Sequence, residues 1–435
     1  MSKQNRPELH TFGCRLNIWE SEVMRRHAET AGLNDVVIVN TCAVTKEAER
    51  QARQAIRKLR REKPEARIVV TGCAAQIDPD SWGAMPETDI LLGNDDKLQA
   101  ASWQDLAHGQ LPARQVSDIM QVKEVASHLT GSFDDHTRGF LQVQQGCDHR
   151  CTFCIIPYGR GPSRSSSVAE VIAGVKNMVA SGTREIVLSG VDITSWGQDI
   201  EGRPRLGMLV QEILRAVPDL PRLRLSSLDP AEPDHALMEV LSGEARLMPH
   251  LHLSVQHGDD VILKHMKRRH LARDVIRFCE EARRRRSDVV FGADIIAGFP
   301  TETEAAHQAS CQLIKEADLV HLHIFGFSPR AGTPAAQMPQ IDKSVIKQRV
   351  NSLRQLGAQQ LNQHLQARIG GNDMLLLEAS GKGHLSGFEK AVLCLDENNT
   401  SSRKTDFQAG QMIPVSLQSV AGDQLQVAPL LAHSA

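Results

Sequence analysis

Between about residues 139 and 330 the chain alternates short apolar runs with amphipathic stretches, six times over, and few folds accommodate that rhythm. Phe140 to Val143, Glu185 to Leu188, Leu223 to Leu225, Leu251 to Val255, Val289 to Ile296 and Leu319 to Phe325 read as strands. Helical periodicity falls between them, at Val168 to Val179, Met208 to Ala216, Asp274 to Arg284 and Glu302 to Glu316. Strands joined through helices pair in parallel, because a parallel crossover needs a long connection that covers the sheet faces. Six such units predict a partial (β/α)6 barrel, whose functional residues gather at the carboxyl ends of its strands.

The loop after the first of these strands holds Cys147, Cys151 and Cys154, a Cys-x3-Cys-x2-Cys triplet. Three thiolates in one short loop suit a cubane iron–sulfur cluster, each binding one iron. No fourth cysteine follows nearby, so the fourth iron is open to a ligand that is not protein. An open iron can hold and reduce a substrate, which points to catalysis more than to electron transfer. The rival readings are a zinc knuckle and buried free thiols. Zinc prefers four ligands in paired spacing, and His149 lies inside the first gap, too close to reach around one ion. Later strands end in polar or glycine-bearing segments that face the same edge: Ser189-Gly190-Val191-Asp192, Ser226-Ser227, Gln256-His257-Gly258 and Gly298-Phe299-Pro300.

The first hundred residues repeat the alternation on a smaller scale. Leu9 to Phe12, Val36 to Val39 and Ile68 to Val70 read as strands, with Asp89 to Leu92 a candidate fourth. Ser21 to Ala31 and Thr45 to Glu62 are helical in pattern. The prediction is an open parallel α/β sheet, with ligands at the carboxyl edge. Each of the first three strands ends in a cysteine: Cys14, Cys42 and Cys73. One strand-end cysteine is an ordinary small core residue. Three at equivalent positions converge, and glycines before Cys14 and Cys73 allow close backbone approach. They predict a second three-cysteine cluster.

Residues from about 104 to 135, with Gly109, Pro112 and Gly131, read as a linker, with a strand around Ile119 to Val125. Past 371, Met374 to Glu378, Ala391 to Leu395, Met412 to Leu417 and Gln424 to Val427 read as strands of a small β-barrel. The organisation is thus α/β throughout residues 1–125 and 133–370, followed by β structure over 371–435. Cys279, Cys311 and Cys394 lie apart from both constellations and read as core thiols.

Lys plus Arg (50) and Asp plus Glu (52) nearly cancel, so net charge announces no polyanion partner. Three local basic runs do better: Arg50 to Arg67, Lys264 to Arg273 and Arg283 to Arg286. No apolar stretch approaches membrane length, and nine cysteines without a secretion signal read as reduced thiols and metal ligands. The expectation is a cytoplasmic protein with no membrane partner.

A Cys-x3-Cys-x2-Cys loop after strand one of a six-unit partial barrel resembles the radical S-adenosylmethionine (SAM) enzymes. The likeness extends to the methylthiotransferases among them. It is carried by Phe12-Gly13-Cys14-Arg15-Leu16-Asn17, Asn40-Thr41-Cys42-Ala43-Val44-Thr45, Thr71-Gly72-Cys73-Ala74-Ala75-Gln76, Cys154-Ile155-Ile156-Pro157-Tyr158-Gly159-Arg160-Gly161, Asp294-Ile295-Ile296-Ala297-Gly298-Phe299-Pro300 and Ser328-Pro329-Arg330-Ala331-Gly332-Thr333-Pro334-Ala335. Gly190 to Gly197 and the Cys42-Ala43-Val44-Thr45 loop are most similar to the branch that methylthiolates threonylcarbamoyladenosine beside the tRNA anticodon. Sibling branches act on isopentenyladenosine in tRNA or on a ribosomal-protein aspartate. Gly410-Gln411-Met412-Ile413-Pro414-Val415 resembles the small RNA-binding barrel called TRAM, although Phe388 and Phe407 are the only aromatics of that segment.

The resemblance implies two [4Fe-4S] clusters and SAM. Cys147, Cys151 and Cys154 would hold the cluster that cleaves SAM to a 5′-deoxyadenosyl radical, chemistry that the cofactor itself carries. Cys14, Cys42 and Cys73 would hold an auxiliary cluster that donates sulfur. Phe153 would shield the adenine side of the cluster loop, and Gly190, Ser227, Gln256 and Ile296 stand where family motifs touch SAM. Relatives often have Gln-Ser-Gly or Gln-Ala-Gly where this chain has Gln256-His257-Gly258, and His257 reads as a tolerated variant. Implied partners are tRNA carrying threonylcarbamoyladenosine, an electron donor such as flavodoxin or ferredoxin, and a sulfur donor. The rival classes are a non-catalytic iron–sulfur or zinc RNA-binding protein, and a radical enzyme that only abstracts hydrogen.

Overall fold

The computed structural model describes residues 6–123, 137–231, 234–394 and 407–430. At the N-terminus, β1 (Glu8–Thr11), β2 (Val36–Thr41), β3 (Arg67–Gly72), β4 (Ile90–Leu92) and β5 (Arg114–Gln115) form one parallel sheet in chain order. Alternate residues of the apolar strands feed opposite faces. Val37, Val39, Ile68 and Val70 pack on Ile56 and Leu59 of helix Lys46–Glu62. Val36, Ile38 and Val69 pack on Met24 and Ala28 of helix Arg15–Thr30. A strand buried on both faces has to be a continuous apolar run, which is why these two were legible.

The expected strand around Ile119 to Val125 is not formed. Ile119–Gln121 is a single 3₁₀ turn, capped where the Asp118 carboxylate accepts from the Met120 amide at 3.0 Å; residues 124 and 125 lie outside the described part. Nor is the stretch after 104 merely a linker. Helix Ala100–Ala107 buries Trp103, and β5 adds a fifth strand to the sheet. A two-residue strand beside Pro112 carries too few positions to show any period.

The central unit has β6 (Arg138–Gln142), then a strap of β7 (Gln144–Gln145) and β8 (Arg164–Ser165), then β9 (Glu185–Ser189), β10 (Arg222–Leu225), β11 (His250–Gln256), β12 (Val290–Ala297) and β13 (Leu319–Gly326). Two parallel three-stranded sheets, β6-β9-β10 and β11-β12-β13, meet through the bridge Leu228–Leu253. These are the six expected barrel strands. Helix Lys343–Arg368 runs along β13 into the C-terminal unit and gave no periodic signal, because only Arg349, Val350, Leu353 and Leu365 of its 26 residues are buried.

The C-terminal unit is a closed barrel of β14 (Asn372–Ala379), β15 (Lys382–His384), β16 (Lys390–Leu393), β17 (Met412–Ala421) and β18 (Gln424–Pro429), in the order β14-β15-β16-β18-β17. Its own core is aliphatic, with Leu375, Leu377, Val415, Leu417, Leu425 and Val427. It docks on the amino-terminal ends of the central strands, the floor of that barrel. Glu185, buried there, accepts two hydrogen bonds from Arg224 at 2.9 and 3.1 Å and lies 3.7 Å from Arg222 and 3.9 Å from Arg138. The same arginines reach backbone carbonyls of the C-terminal barrel: Arg222 donates to Met374 and His384, Arg224 to Ser386. Phe388, at a left-handed turn (φ 74°), stacks on His250 and His384 with ring centroids 4.9 and 4.7 Å apart. Arg138 and Arg224 lie 5.1 and 4.9 Å from its ring.

Candidate functional site

Parallel pairing of β1, β2 and β3 brings Cys14, Cys42 and Cys73 to one edge. Cys14 is the N-cap of helix Arg15–Thr30, Cys42 follows β2, and Cys73 opens the short helix after β3. Gly13 and Gly72 both have φ of 102°, a region that L side chains avoid. A Cβ on Gly13 would stand 2.7 Å from the Cys42 Sγ. Gly13 therefore lets Cys14 and Cys42 approach, while Gly72 makes room for the Thr41 backbone at the turn into Cys73. Burial pushes the Cys42 thiol up to about 12, and Cys73 and Cys14 add to the rise.

A buried polar network supports this trio. Arg160 donates from Nε to the Cys73 Sγ at 3.1 Å and from its terminal nitrogens to Glu20 and to Asn17 Oδ1, the latter at 2.5 Å. Lys97 Nζ donates to Glu20 and to Asn94 Oδ1, both at 2.7 Å. Against burial, which would raise it, Arg160 and Lys97 hold the Glu20 carboxyl at about 2. Arg160 belongs to the central unit and Glu20 and Lys97 to the N-terminal one, so the network also joins them.

The Cys147 loop is fixed from three sides. Cys147 donates its amide to Gly161 O at 3.0 Å. Thr152 donates to Met266 O and, through its hydroxyl, to His265 O at 2.8 Å, and its carbonyl accepts from Ala335 at 2.9 Å. At Gly146 (φ 72°) a Cβ would fall 1.9 Å from Pro162 O. Burial raises the Cys147 thiol to about 12, with the Asp192 carboxylate adding to it, and raises Cys154 to about 11. His149 Nε2 lies 2.9 Å from Asp192 without a hydrogen bond, and with the Cys147 Sγ their donor atoms fall within 4.8 Å of one another, so His149 is not too close to share an ion with Cys147 as the sequence suggested. Arg268 lies 3.7 Å from Cys151 Sγ and donates to Asp229 at 3.1 Å.

Neither thiol trio draws its three Sγ atoms within 4.8 Å of one another. A single zinc ion holds thiolates about 3.8 Å apart and takes four ligands. Three convergent but spaced thiols fit a cluster corner by corner.

Between the two trios lies a cavity of about 260 Å³. Val44 and Thr45 line it from the N-terminal sheet, Phe153 and Cys154 from the Cys147 loop, and Gln256, Asp294, Ile296, Phe325 and Arg330 from the barrel mouth. Three of the five expected cofactor contacts, Phe153, Gln256 and Ile296, are on its wall. Gln256 follows a register break in β11 and has φ of 69°, a strained backbone of the kind that collects at functional sites. Gly190 and Ser227 are not on the wall. Gly190 packs where a Cβ would meet Ile193 at 2.5 Å, and Ser227 is half-buried beyond β10. His257 is buried 3.9 Å from Glu302 and accepts from the Asp259 amide at 3.0 Å, outside the cavity.

The remaining cysteines divide. Cys279 is buried and Cys311 half-buried on its helix, but Cys394 is exposed and not a core thiol, because it follows β16 just past the strand's last paired residue. Sequence reasoning placed Asp192 at the functional edge but missed the roles of Glu20, Asn94, Lys97, Arg160 and Asp294. The available signal was polar residues in loops after parallel strands, as in Gly93-Asn94-Asp95-Asp96-Lys97 after β4. Of the basic runs, the first leaves Arg50, Arg57, Lys58, Arg61 and Lys63 exposed along a helix that starts beside the cavity. In the third, Arg283 donates to Ala317 O and Arg286 to Leu247 O, while Arg284 stays exposed.

Comparison with known proteins agrees with this geometry. Residues 141–314 match the model of the radical SAM superfamily, and residues 6–93 match that of the uncharacterized protein family UPF0004. The chain is 50% identical over 388 residues to the threonylcarbamoyladenosine tRNA methylthiotransferase MtaB of Rickettsia prowazekii (strain Madrid E), covering 89% of this chain and 91% of that one. The chain belongs to the MtaB family of radical SAM methylthiotransferases. A tRNA-2-methylthio-N(6)-dimethylallyladenosine synthase of Cereibacter sphaeroides (strain ATCC 17029 / ATH 2.4.9) is more distant, at 32% identity over 98% of this chain and all of that one. The fold of the MtaB-family chain is also that of a radical SAM methyltransferase, TsrM of Kitasatospora setae, solved with tryptophan and a SAM analogue. That likeness has a TM-score of 0.56 at 18% identity and covers 74% of this chain and 67% of the other. As a radical SAM methylthiotransferase, the MtaB-family chain is an enzyme that works with SAM and [4Fe-4S] clusters, two being typical of the family. None of its described helices is long and apolar enough to cross a membrane.

Proposed function

We propose that this enzyme adds a methylthio group to C2 of N6-threonylcarbamoyladenosine in tRNA, beside the anticodon. The observation that carries the reading is a cavity of about 260 Å³ lined on one side by Cys154 and on the other by Val44 and Thr45, which directly follow Cys42 and its thiol trio. Such a cavity admits one base between a radical source and a sulfur source. The 50% identity to the Rickettsia MtaB selects the threonylcarbamoyl substrate over the dimethylallyl one, the relative of that kind standing at 32%.

In this reading Cys147, Cys151 and Cys154 hold the SAM-binding cluster, and Cys14, Cys42 and Cys73 hold the auxiliary one. When bound, these groups supply a 5′-deoxyadenosyl radical, a methyl group and sulfur. The chain's own residues do the rest. Phe153, Gln256 and Ile296 shape the wall against SAM, while Gly190 and Ser227 act from behind it. Arg160 holds Cys73 by a charge-assisted hydrogen bond, as an anionic thiolate ligand requires. Val44 and Thr45 present the auxiliary side to the base. The target adenine enters unstacked, since its C2 edge is inaccessible within a stacked loop. The exposed arginines and lysines of helix Lys46–Glu62 take the phosphate backbone, making binding salt-dependent. An electron donor of the flavodoxin or ferredoxin class and a separate sulfur donor complete the cycle, in the cytoplasm.

Nucleoside analysis of tRNA from a strain lacking the protein tests the assignment. Loss of the 2-methylthio form with accumulation of threonylcarbamoyladenosine is expected. Unchanged nucleosides, or accumulation of dimethylallyladenosine instead, would overturn it.

A further inference from the structure

Beneath the cavity, β11, β12 and β13 turn His252, Asp294 and His323 into the barrel at one level. Asp294 and His323 are paired neighbours in register. His252 stands beside Gly292, where a Cβ would come 2.5 Å from its Nδ1, so the glycine makes room for the imidazole. His252 Nε2 and His323 Nδ1 lie 3.0 and 3.1 Å from the same oxygen, Asp294 Oδ1. The three donor atoms fall within 4.8 Å of one another, and the two rings are 4.6 Å apart. His252 is buried, and its Nε2 makes no hydrogen bond despite the nearby carboxylate oxygen. His323 Nδ1 is hydrogen-bonded to Asp294 Oδ1, whereas His252 Nε2 points at the same oxygen without the alignment of an N–H donation.

We propose that His252, Asp294 and His323 form a binding site for one divalent cation of the zinc or ferrous class. Two imidazoles and one carboxylate are the donor set that such borderline cations take, whereas magnesium and calcium prefer oxygen alone. The surroundings suit the site. Asp294 lines the cavity between the clusters. His323 opens on a second cavity of about 280 Å³, between β13, helix Lys343–Arg368 and the C-terminal barrel. Three protein donors therefore leave coordination positions that a water or an oxygen of a bound molecule can reach, the pattern of open zinc sites.

Equilibrium dialysis of the anaerobically reconstituted holoenzyme against zinc, with iron counted in the same sample, tests the site. The wild type should hold one zinc per chain in addition to about eight irons. Asp294→Asn and His323→Ala should each weaken zinc about tenfold or more at unchanged iron content. X-ray absorption at the zinc edge supplies a readout independent of folding in the variants, and should show nitrogen and oxygen scatterers only. Sulfur scatterers, absence of the added zinc in the wild type, or equal zinc affinity in the variants would each overturn the proposal.

Discussion

Replacing Glu185 by Gln removes the buried carboxylate shared by three arginines on the floor of the central barrel, of which Arg138 has a second partner in Glu378. Burial would raise the Glu185 carboxyl, yet Arg224, Arg138 and Arg222 hold it at about 2, against 4.5 when free. At about 1.4 kcal/mol for each pH unit, that difference is worth about 3 kcal/mol of stability. Leaving a buried partner uncompensated costs about 3–5 kcal/mol by independent experience with ion pairs, so two routes give the same size. Denaturant unfolding at pH 7 should therefore show Glu185→Gln less stable by about 3 kcal/mol. The sign of the pH dependence follows from the depressed value. The carboxylate stabilises the fold fully above about pH 4.5, and the contribution fades as pH falls towards 2. The gap between wild type and variant should close over that interval, because glutamine cannot titrate. A variant within about 0.5 kcal/mol of wild type at pH 7, or a gap that stays constant down to pH 3, would refute the reasoning.

Gly13→Ala should cost the auxiliary site its cluster, lowering iron from about eight to about four per chain with the SAM-cleaving activity kept, because its Cβ would collide with Cys42 at a φ of 102°. Arg160→Met should leave iron content near wild type yet shift the reduction potential and electron paramagnetic resonance of one cluster only, through loss of the 3.1 Å hydrogen bond to Cys73; two unaltered signals would remove Arg160 from that role. Cys394 should be the first thiol alkylated in the native holoenzyme, being exposed, while Cys279, buried and raised to about 12, should react only on unfolding. Mass spectrometry of the labelled protein distinguishes them.

The parallel strands were legible because burial on both faces leaves a run such as Val36 to Val39 with no polar alternative. The convergence of Cys14, Cys42 and Cys73 was legible because residues after successive parallel strands must meet at one edge. Helix Lys343–Arg368 was not, since four buried positions among 26 do not impose a period. The supporting network was hidden for a different reason. Glu20 sits on a helix, Lys97 in a turn and Arg160 after the cluster loop, and only the tertiary fold brings them within 2.7 Å or less of shared partners. Charges of this kind look like surface residues in a sequence. Cys394 shows the converse error, a thiol read as core from its β pattern and left exposed past the strand end.

The ring of Phe388 is a meeting point for the whole molecule. Arg138 and Arg224 of the central strands lie against it, and Arg15, from the helix that Cys14 caps, reaches to 6.0 Å. Three units that look like separable modules along the chain thus share one keystone. Grafting the last 65 residues from a relative would transplant a lid without its socket unless Arg15, Arg138, Glu185, Arg222, Arg224 and His250 travelled with it. The C-terminal barrel should accordingly be inherited with the floor it closes, and chimeras cut at residue 371 should fail in folding before they fail in recognition.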